Sequence, residues 1–257
     1  MPDDLILETR GLTKEFNGFV ALCDVDLRVH RGRIHALIGP NGAGKTTCFN
    51  LLTKFLTPTR GRITYQGDDI TSVKAAEVAR LGIVRSFQMS AVFPHLTVLE
   101  NVRIALQRKL GTTFHFWKRE SSLKVLDARA MELLGSVDLG AFADMIAVEL
   151  PYGRKRALEI ATTLAMEPEL MLLDEPTQGM GHEDVGKVTA LIKKASAGRT
   201  VLMVEHNMSV VSTIADTITV LQHGRIIAEG PYSEVAKDPL VMQAYMGSAD
   251  TELQAAH

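Results

Sequence analysis

The residues with the clearest chemical meaning form a glycine-rich stretch, GPNGAGKTT, at positions 39–47. It fits the pattern G-x-x-x-x-G-K-[ST], in which glycines allow a tight loop whose backbone N–H groups point at phosphate oxygens. Lys45 adds a positive charge that can reach the β and γ phosphates, and the Thr46 hydroxyl can hold Mg²⁺. The predicted nucleotide-binding residues of this loop are Gly39, Pro40, Asn41, Gly42, Ala43, Gly44, Lys45, Thr46 and Thr47. The stretch therefore predicts a site for a nucleoside triphosphate.

Two carboxylates and a histidine have the types needed to hydrolyse such a ligand. Asp174 and Glu175 follow the apolar run at 170–173, and His206 follows a second apolar run at 200–204. Asp174 can hold the water shell of Mg²⁺, and Glu175 can polarise a water that attacks the γ phosphate. Since the carboxyl ends of parallel strands meet at one edge of a sheet, we expect His206 to project toward the γ phosphate.

Two further segments carry polar groups suited to the same chemistry. Gln88 ends a strand predicted at 83–87, and its amide can touch both the metal shell and the attacking water. The segment 150–154 opens a helix and contains a glycine, which predicts a second anion site. Its residues are Leu150, Pro151, Tyr152, Gly153 and Arg154. We therefore predict Glu175, His206 and Gln88 as catalytic residues, and Thr46, Gln88 and Asp174 as metal ligands.

The pattern of apolar residues predicts the elements that position these groups. A strand at 34–38 leads into the phosphate loop, and the apolar runs at 170–173 and 200–204 are typical of strands buried on both faces of a parallel sheet. Apolar and charged residues alternate at 25–29, which predicts a half-buried antiparallel strand, and further strands are predicted at 5–13 and 62–65. Two segments at 217–221 and 225–228, joined by a turn at 223–224, predict an antiparallel hairpin. Helical spacing covers 71–82, 97–110, 123–134, 185–195 and the tail from 231. These elements predict an α/β fold with a parallel core sheet and an antiparallel β region at its nucleotide end.

The composition of the chain indicates the cellular compartment and the kinds of partner that are compatible with this chemistry. The chain has 257 residues, 46% of them hydrophobic, and a net charge of −2, which gives no case for nucleic acid binding. Two cysteines are too few for a disulfide framework, and we interpret Cys48 as a small buried residue. No run of eighteen apolar residues exists, and the first residues, MPDDL, lack a secretory signal pattern. We expect a cytosolic protein that can act at a membrane through a partner.

Taken together, these motifs resemble the ATP-binding cassette of ABC transporters over nearly the whole chain. The resemblance implies that Phe16 stacks on adenine, Gln88 is the Q-loop residue, and His206 is the switch histidine. It also implies that 150–154 is the signature motif, which acts on the ATP of a partner subunit, and that 178–181 is the D-loop. In that family two cassettes enclose two ATP molecules, so the second anion site serves the partner's nucleotide.

The resemblance also implies a division of the chain. It predicts the P-loop NTPase fold of an ABC ATPase, with a parallel core sheet, an antiparallel β subdomain and an α-helical subdomain. We expect one domain over 1–257. Within it, 1–88 holds the antiparallel β region and the phosphate loop, 89–165 the helical subdomain with the signature, and 166–257 the rest of the core.

Several stretches are most similar to the ATP-binding subunits of branched-chain amino acid importers: FPHLTVLEN at 93–101, LEIA at 158–161, QGMG at 178–181, VEHN at 204–207 and AYMG at 244–247. The aromatic insert at 111–119 favours the larger of the two ATPase types of those importers. The resemblance implies ATP and Mg²⁺ as ligands and a peripheral place on the cytoplasmic face of the inner membrane. The implied partners are a second, paralogous ATPase subunit rather than an identical one, two membrane permeases and, indirectly, a periplasmic binding protein.

Two positions depart from the family pattern. The signature usually reads LSGGQ, so Pro151 removes a hydroxyl that would bind the partner's γ phosphate, and Gly181 replaces the aspartate usual in the D-loop. An importer for urea, short amides or other amino acids remains an alternative, as does a soluble ABC ATPase without a transport role. A small-molecule kinase and a nucleotide-regulated interaction protein without turnover are further alternatives, which the signature segment, Glu175 and His206 disfavour.

Overall fold

The computed structural model describes residues 4–86, 92–107 and 126–245, and its central element is the strand that leads into the phosphate loop. This strand, β4 (Ile34–Ile38), is buried along its whole length. It lies in a six-stranded sheet of order β11-β10-β4-β9-β8-β7. The other strands are β7 (Ile83–Ser86), β8 (Leu170–Asp174), β9 (Thr200–Val204), β10 (Thr217–Gln222) and β11 (Arg225–Gly230). All neighbours in this sheet are parallel except β10 and β11, which form the predicted antiparallel hairpin.

Apolar runs form the central strands because both faces of this sheet are covered. Leu37, Leu172 and Leu202 face a cluster shared with the phosphate-loop helix and the antiparallel strands. Their neighbours Ala36, Leu173 and other residues of opposite parity face a second cluster shared with the helical layer. Successive side chains of a strand point to opposite faces, so one short run supplies both cores.

The antiparallel sheet lies over the phosphate-loop helix. It has the order β2-β1-β5-β6, and β3 pairs with the first half of β1. The strands are β1 (Leu5–Phe16), β2 (Phe19–Val25), β3 (Arg28–His30), β5 (Arg60–Tyr65) and β6 (Asp68–Asp69).

The prediction of one strand over 25–29 is wrong, because β2 ends at Val25 and β3 begins at Arg28. The Thr9 hydroxyl causes the break: it donates to Val25 O at 2.8 Å and accepts the Leu27 N–H at 2.9 Å. The alternation of side chains therefore continues across an interruption of the backbone ladder, with β1 as the pairing strand on both sides of it.

The helices are α1 (Lys45–Leu52), α2 (Ala75–Arg80), α3 (Val98–Gln107), α4 (Asp127–Ser136), α5 (Tyr152–Ala165), α6 (His182–Ala195), α7 (Met208–Ile214) and α8 (Tyr232–Val235), followed by a helix through 239–245. Helices α3, α4 and α5 pack on one another as a layer beside the parallel sheet. No helix in the described ranges is both long and apolar enough to cross a lipid bilayer. The insert 111–119 lies outside the described residues. The predicted fold class is confirmed: a parallel core sheet, an antiparallel β region and a helical layer.

Cys48, which lies on α1, is fully buried, and burial raises the pKa of its thiol to about 12. It is therefore a protonated core residue, as its position predicted.

A buried histidine on β4 makes the fold sensitive to acid. His35 is 1% exposed, and burial, with a smaller contribution from the charge of His30, lowers its pKa from 6.5 to about 4. The ring Nε2 lies 2.7 Å from the Thr219 hydroxyl. Because the folded state disfavours the proton that the unfolded chain accepts, stability is complete above pH 6.5 and falls as the pH drops toward 4.

We expect the free energy of unfolding attributable to His35 to be about 2 kcal/mol lower at pH 5 than at pH 7.5. Urea unfolding at both pH values, with His35→Gln as the matched control that cannot gain a proton, measures this difference. An equal pH dependence in the variant and the wild type would contradict it.

Candidate nucleotide-hydrolysis site

The phosphate loop requires glycine at specific points. Gly39, Gly42 and Gly44 have φ angles of 148°, 76° and 104°, which side-chain-bearing residues rarely adopt. A Cβ on Gly39 would lie 2.1 Å from Leu221 O, and one on Gly44 would lie 2.8 Å from Ala21 O. The loop is therefore pressed between the end of β10 and the strand β2, and only glycine fits at these two points.

The start of α1 presents positive charge to the loop. Gly44 is its N-cap, and its first turn has no acidic residue to offset the helix dipole. Lys45 is 8% exposed, and its Nζ donates to Gly39 O at 2.6 Å and to Pro40 O at 3.0 Å. Burial lowers the pKa of Lys45, while the charges of Glu175 and Asp174 oppose that shift. The charges of the acid pair thus act on the loop lysine, although Lys45 and Asp174 are 129 residues apart in sequence.

The Asp174 carboxylate is buried beside a positive charge. It ends β8, is 6% exposed and forms an ion pair with Arg85 on the neighbouring strand β7. The same guanidinium donates to Asn50 Oδ1 at 2.7 Å and lies over the Phe49 ring, with 5.7 Å from Cζ to the ring centre. Arg85 therefore joins the acid of β8 to the helix that follows the phosphate loop.

Glu175 lies at a bend between β8 and residues 178–181, the predicted D-loop. Its φ angle is 46°, an uncommon left-handed conformation for a residue with a side chain, and its N–H donates to Val204 O at 2.9 Å. The side chain is half-buried. Such outliers collect at functional sites, where the surrounding structure holds them.

A second buried acid connects Glu175's loop to His206. Glu205 is fully buried, and its Oε1 accepts the Thr177 N–H at 3.0 Å and the Thr177 hydroxyl at 2.5 Å. Its Oε2 accepts the N–H groups of His206 at 3.0 Å and Asn207 at 3.1 Å. The imidazole of His206 is exposed at the start of the turn into α7. One carboxylate thus holds the backbone on both sides of the site.

The remaining predicted nucleotide and metal residues lie as follows. Phe16 ends β1, is 40% exposed and has the Lys14 Nζ 5.0 Å from its ring centre. Thr46 is exposed in the first turn of α1. An exposed hydroxyl and a carboxylate at a strand end suit Mg²⁺, which keeps most of its waters and takes few protein ligands. Gln88 lies outside the described residues.

The segment 150–154 forms the start of α5. Leu150 is buried and Pro151 is the N-cap, so proline stands before the helix rather than in its first turn. The Tyr152 hydroxyl donates to Gln178 O at 3.0 Å, and a Cβ on Gly153 would lie 3.3 Å from Asp184 Cγ. The Arg154 guanidinium lies over the Phe142 ring at 3.8 Å. This segment also borders a cleft of about 440 Å³ between α5 and α6.

Three residues were missed from sequence: Arg85, Glu205 and Arg156. Arg156 and Glu205 are buried and the Arg85 side chain is 10% exposed, and a charge removed from water requires a partner. For Arg85 the signal in the sequence was a charged residue within the strand predicted at 83–87; the structure adds that it pairs in register with Leu172, two residues before Asp174 on the same face. Arg156 has a side-chain partner three residues along the helix, Glu159, but its contacts to the loop after β8, like those of Glu205 to the segments on both sides of the site, are largely to backbone groups, which no residue pattern identifies.

A parallel sheet with a glycine-rich phosphate loop after β4 and an acid pair after β8 defines a P-loop nucleoside triphosphate hydrolase. The family model described as ABC transporter matches residues 22–178, and the model described as branched-chain amino acid ATP-binding cassette transporter matches 225–251. The chain belongs to the ABC transporter family of ATP-binding cassettes. The predicted family and enzyme class are thereby confirmed: it is an ATPase whose hydrolysis is coupled to transport.

Individual relatives are similar over almost their full length. The chain is 38% identical to the high-affinity branched-chain amino acid transport ATP-binding protein BraF of Pseudomonas aeruginosa, over 95% of this chain and 98% of BraF. The ADP conformation of MJ1267, an ATP-binding cassette of an ABC transporter, superposes with a TM-score of 0.83 at 32% identity, over 95% of this chain and 99% of MJ1267. A dimeric post-hydrolysis state of the cassette MJ0796 bound to ADP and Pi has a TM-score of 0.72 at 26% identity, over 88% of this chain and 98% of MJ0796.

Proposed function

We propose that this chain is the ATP-hydrolysing subunit of an importer for branched-chain amino acids. The observation that carries the hydrolytic part is that β4 and β8 lie on either side of β9 in the parallel sheet, so the phosphate loop after β4 and the acid pair after β8 lie at the same edge. The transported substrate is supported by the similarity to BraF and by the match of the branched-chain amino acid cassette model to 225–251.

We propose that ATP binds with its phosphates in the loop Gly39–Thr47 and its adenine on Phe16. The loop amides, the helix dipole and Lys45 stabilise the phosphate charge, once the Lys45 ammonium exchanges its carbonyl partners for phosphate oxygens. Thr46 and Asp174, with Gln88, are the proposed Mg²⁺ ligands. When bound, Mg²⁺ would offset the charge that develops on the β and γ phosphates.

Glu175 is the proposed base that orients the attacking water and accepts its proton, and His206 is the proposed contact to the γ phosphate. Glu205 supports both, because it holds the backbone of Thr177 and of His206 with one buried carboxylate. These roles fit the site, since each group lies at the carboxyl end of β8 or β9.

We propose that hydrolysis takes place in a dimer of cassettes. Residues 150–154 then complete the partner's ATP site, and the dimeric arrangement of MJ0796 is a precedent for such pairing. A paralogous partner subunit, two permeases and a periplasmic binding protein complete the proposed transporter, with this subunit on the cytoplasmic face of the membrane. The division into 1–88, 89–165 and 166–257 remains part of this proposal.

Reconstitution tests this function. The subunit, its paralogue and the permeases are placed in proteoliposomes, and ATPase activity is measured with binding protein plus leucine, isoleucine or valine. We expect a several-fold stimulation, on the order of the coupling seen between allosteric sites, about 5-fold or more. If only urea or another amino acid stimulated the ATPase activity, that compound would take the place of branched-chain amino acids as the proposed transported substrate. The transport role would be contradicted if the subunit did not co-purify with the permeases and its rate of ATP hydrolysis were the same with and without them.

A further inference from the structure

Two side chains on the first turns of α5 contact the backbone that follows β8. Tyr152 and Arg156 are four residues apart, so they lie on the same face of the helix. Both donate hydrogen bonds to main-chain carbonyls of residues 175–178, which we call the 175–178 segment. The start of the signature helix is therefore joined to the loop that carries Glu175.

Arg156 makes the stronger part of this connection. Its Nη2 donates to Glu175 O and its Nε donates to Pro176 O, each at 3.0 Å. The residue is 4% exposed, and its charge is paired with Glu159 one turn along α5. The planar guanidinium can serve two adjacent carbonyls and a carboxylate at once, which a lysine ammonium cannot do in the same geometry. The pairing with Glu159 satisfies the charge, and the remaining donors are directed at the 175–178 segment.

These bonds reach the one residue of the segment whose backbone is unusual. Glu175 has a φ angle of 46°, its N–H donates to Val204 O, and its carbonyl accepts from Arg156. Its peptide groups are thus held from β9 on one side and from α5 on the other. Because the Cα–Cβ direction follows from the backbone, these two contacts set the direction in which the Glu175 side chain leaves the main chain.

Tyr152 extends the connection into the D-loop. Its hydroxyl donates to Gln178 O at 3.0 Å, next to Gly179, whose φ angle is 76°. A glycine at position 152 would have no group to make this contact. The connection is therefore a consequence of the tyrosine in this signature segment.

We propose that Tyr152 and Arg156 are positioning residues that fix the direction of Glu175 and connect it to the helix acting on the partner's nucleotide. Arg156 orients the hydrolytic carboxylate, and Tyr152 transmits displacement of α5 to the 175–178 segment. The inference rests on the proposed dimeric function, in which residues 150–154 touch the partner's ATP. It assigns the connection between the two ATP sites to side chains of α5.

The test compares Arg156→Lys with Glu159→Gln. Both change the same buried ion pair, but only the first removes the paired donation to Glu175 O and Pro176 O. In the assembled transporter we expect Arg156→Lys to lower kcat about 10–100-fold with the KM for ATP within about twofold, since a small misplacement of a catalytic group has effects of this size. Glu159→Gln should retain kcat within about threefold at a comparable or greater loss of thermal stability.

A second readout on the isolated subunit does not depend on transport. Amide hydrogen exchange of a peptide covering 175–181 should be faster in Arg156→Lys and unchanged in Glu159→Gln. If Arg156→Lys misfolds, the double variant Arg156→Met with Glu159→Met replaces the buried pair by apolar side chains and keeps the fold, because such replacements are commonly tolerated. It should show the same loss of kcat and the same faster exchange.

Tyr152→Phe tests the second half of the proposal. It keeps the ring and removes the hydroxyl, so we expect the Hill coefficient for ATP in the assembled transporter to fall toward 1.

The role of Arg156 would be overturned if Arg156→Lys had the amide exchange and kcat of the wild type. It would also be overturned if Arg156→Lys and Glu159→Gln lost kcat equally. An unchanged Hill coefficient in Tyr152→Phe would overturn that of Tyr152. Failure of the proposed function is distinguishable, because the wild-type transporter itself would then lack leucine-stimulated ATPase activity.

Discussion

Replacing Glu175 by glutamine is expected to slow ATP hydrolysis by about 10²–10⁴-fold while ATP binding is retained. The amide keeps the size of the side chain but cannot accept a proton from the attacking water. The backbone contacts of residue 175, from its N–H to Val204 O and from Arg156 to its carbonyl, do not depend on the side chain and should persist. The phosphate loop keeps its backbone arrangement, and Asp174 still opposes the lowering of the Lys45 pKa by burial after the Glu175 charge is removed. The variant should therefore hold ATP without turning it over.

The measurement is single-turnover hydrolysis in the assembled transporter, with ATP affinity determined separately by equilibrium binding. Glu132→Gln is the matched control: it makes the same chemical change on the exposed face of α4, where Glu132 pairs with Arg129. Its turnover should equal that of the wild type. Near-normal hydrolysis in Glu175→Gln would reject Glu175 as the catalytic base.

Replacing Gly39 by alanine is expected to abolish ATP binding by the isolated subunit. The added Cβ would lie 2.1 Å from Leu221 O and 3.1 Å from Ala43 Cβ, and a φ angle of 148° is unfavourable for any side chain. The obstructing atom belongs to the backbone of β10, which cannot rotate away. The loop must therefore shift, and its carbonyls and N–H groups then lose the arrangement that holds Lys45 and receives phosphate.

Gly42→Ala separates this close approach from backbone strain. Gly42 also has a positive φ angle, 76°, but a Cβ there would meet nothing within 4 Å. We expect a cost of about 1–2 kcal/mol from the left-handed conformation, hence a modest loss of affinity. Equilibrium binding of a fluorescent ATP analogue, with circular dichroism to verify folding, compares the two variants. Equal ATP affinities of Gly39→Ala and Gly42→Ala would show that the clash of a Cβ at position 39 with Leu221 O does not determine ATP binding.

Two arginines that are largely removed from water, Arg85 and Arg156, explain how distant parts of the chain meet at one site. Arg85 joins β7 to Asp174 and to the helix after the phosphate loop, and Arg156 joins α5 to the backbone of Glu175. Each charge is removed from water, so each is stable only while its partners remain in place. Movement of either element must therefore be accompanied by movement of the acid or carbonyl to which it is bound.

The sequence by itself determined the chemistry and the core of the fold. The loop at 39–47, the acid pair after an apolar run and the strands 34–38 and 200–204 were predicted with the bounds that the structure has, or within a residue of them. This succeeded because a phosphate loop is local in sequence and because strands buried on both faces need uninterrupted apolar residues. The prediction of one strand over 25–29 failed because the Thr9 hydroxyl, sixteen residues from Val25 in sequence, takes up backbone groups of Val25 and Leu27 and interrupts the ladder with β1.

Only the tertiary structure decided how the site is held. That Glu205 holds both Thr177 and His206, and that Arg156 and Tyr152 reach the carbonyls of Glu175, Pro176 and Gln178, depends on contacts between distant segments. The partners are backbone groups, which every residue carries and which leave no trace in a pattern of side chains. Residue types indicate which groups can react, whereas packing determines where those groups point.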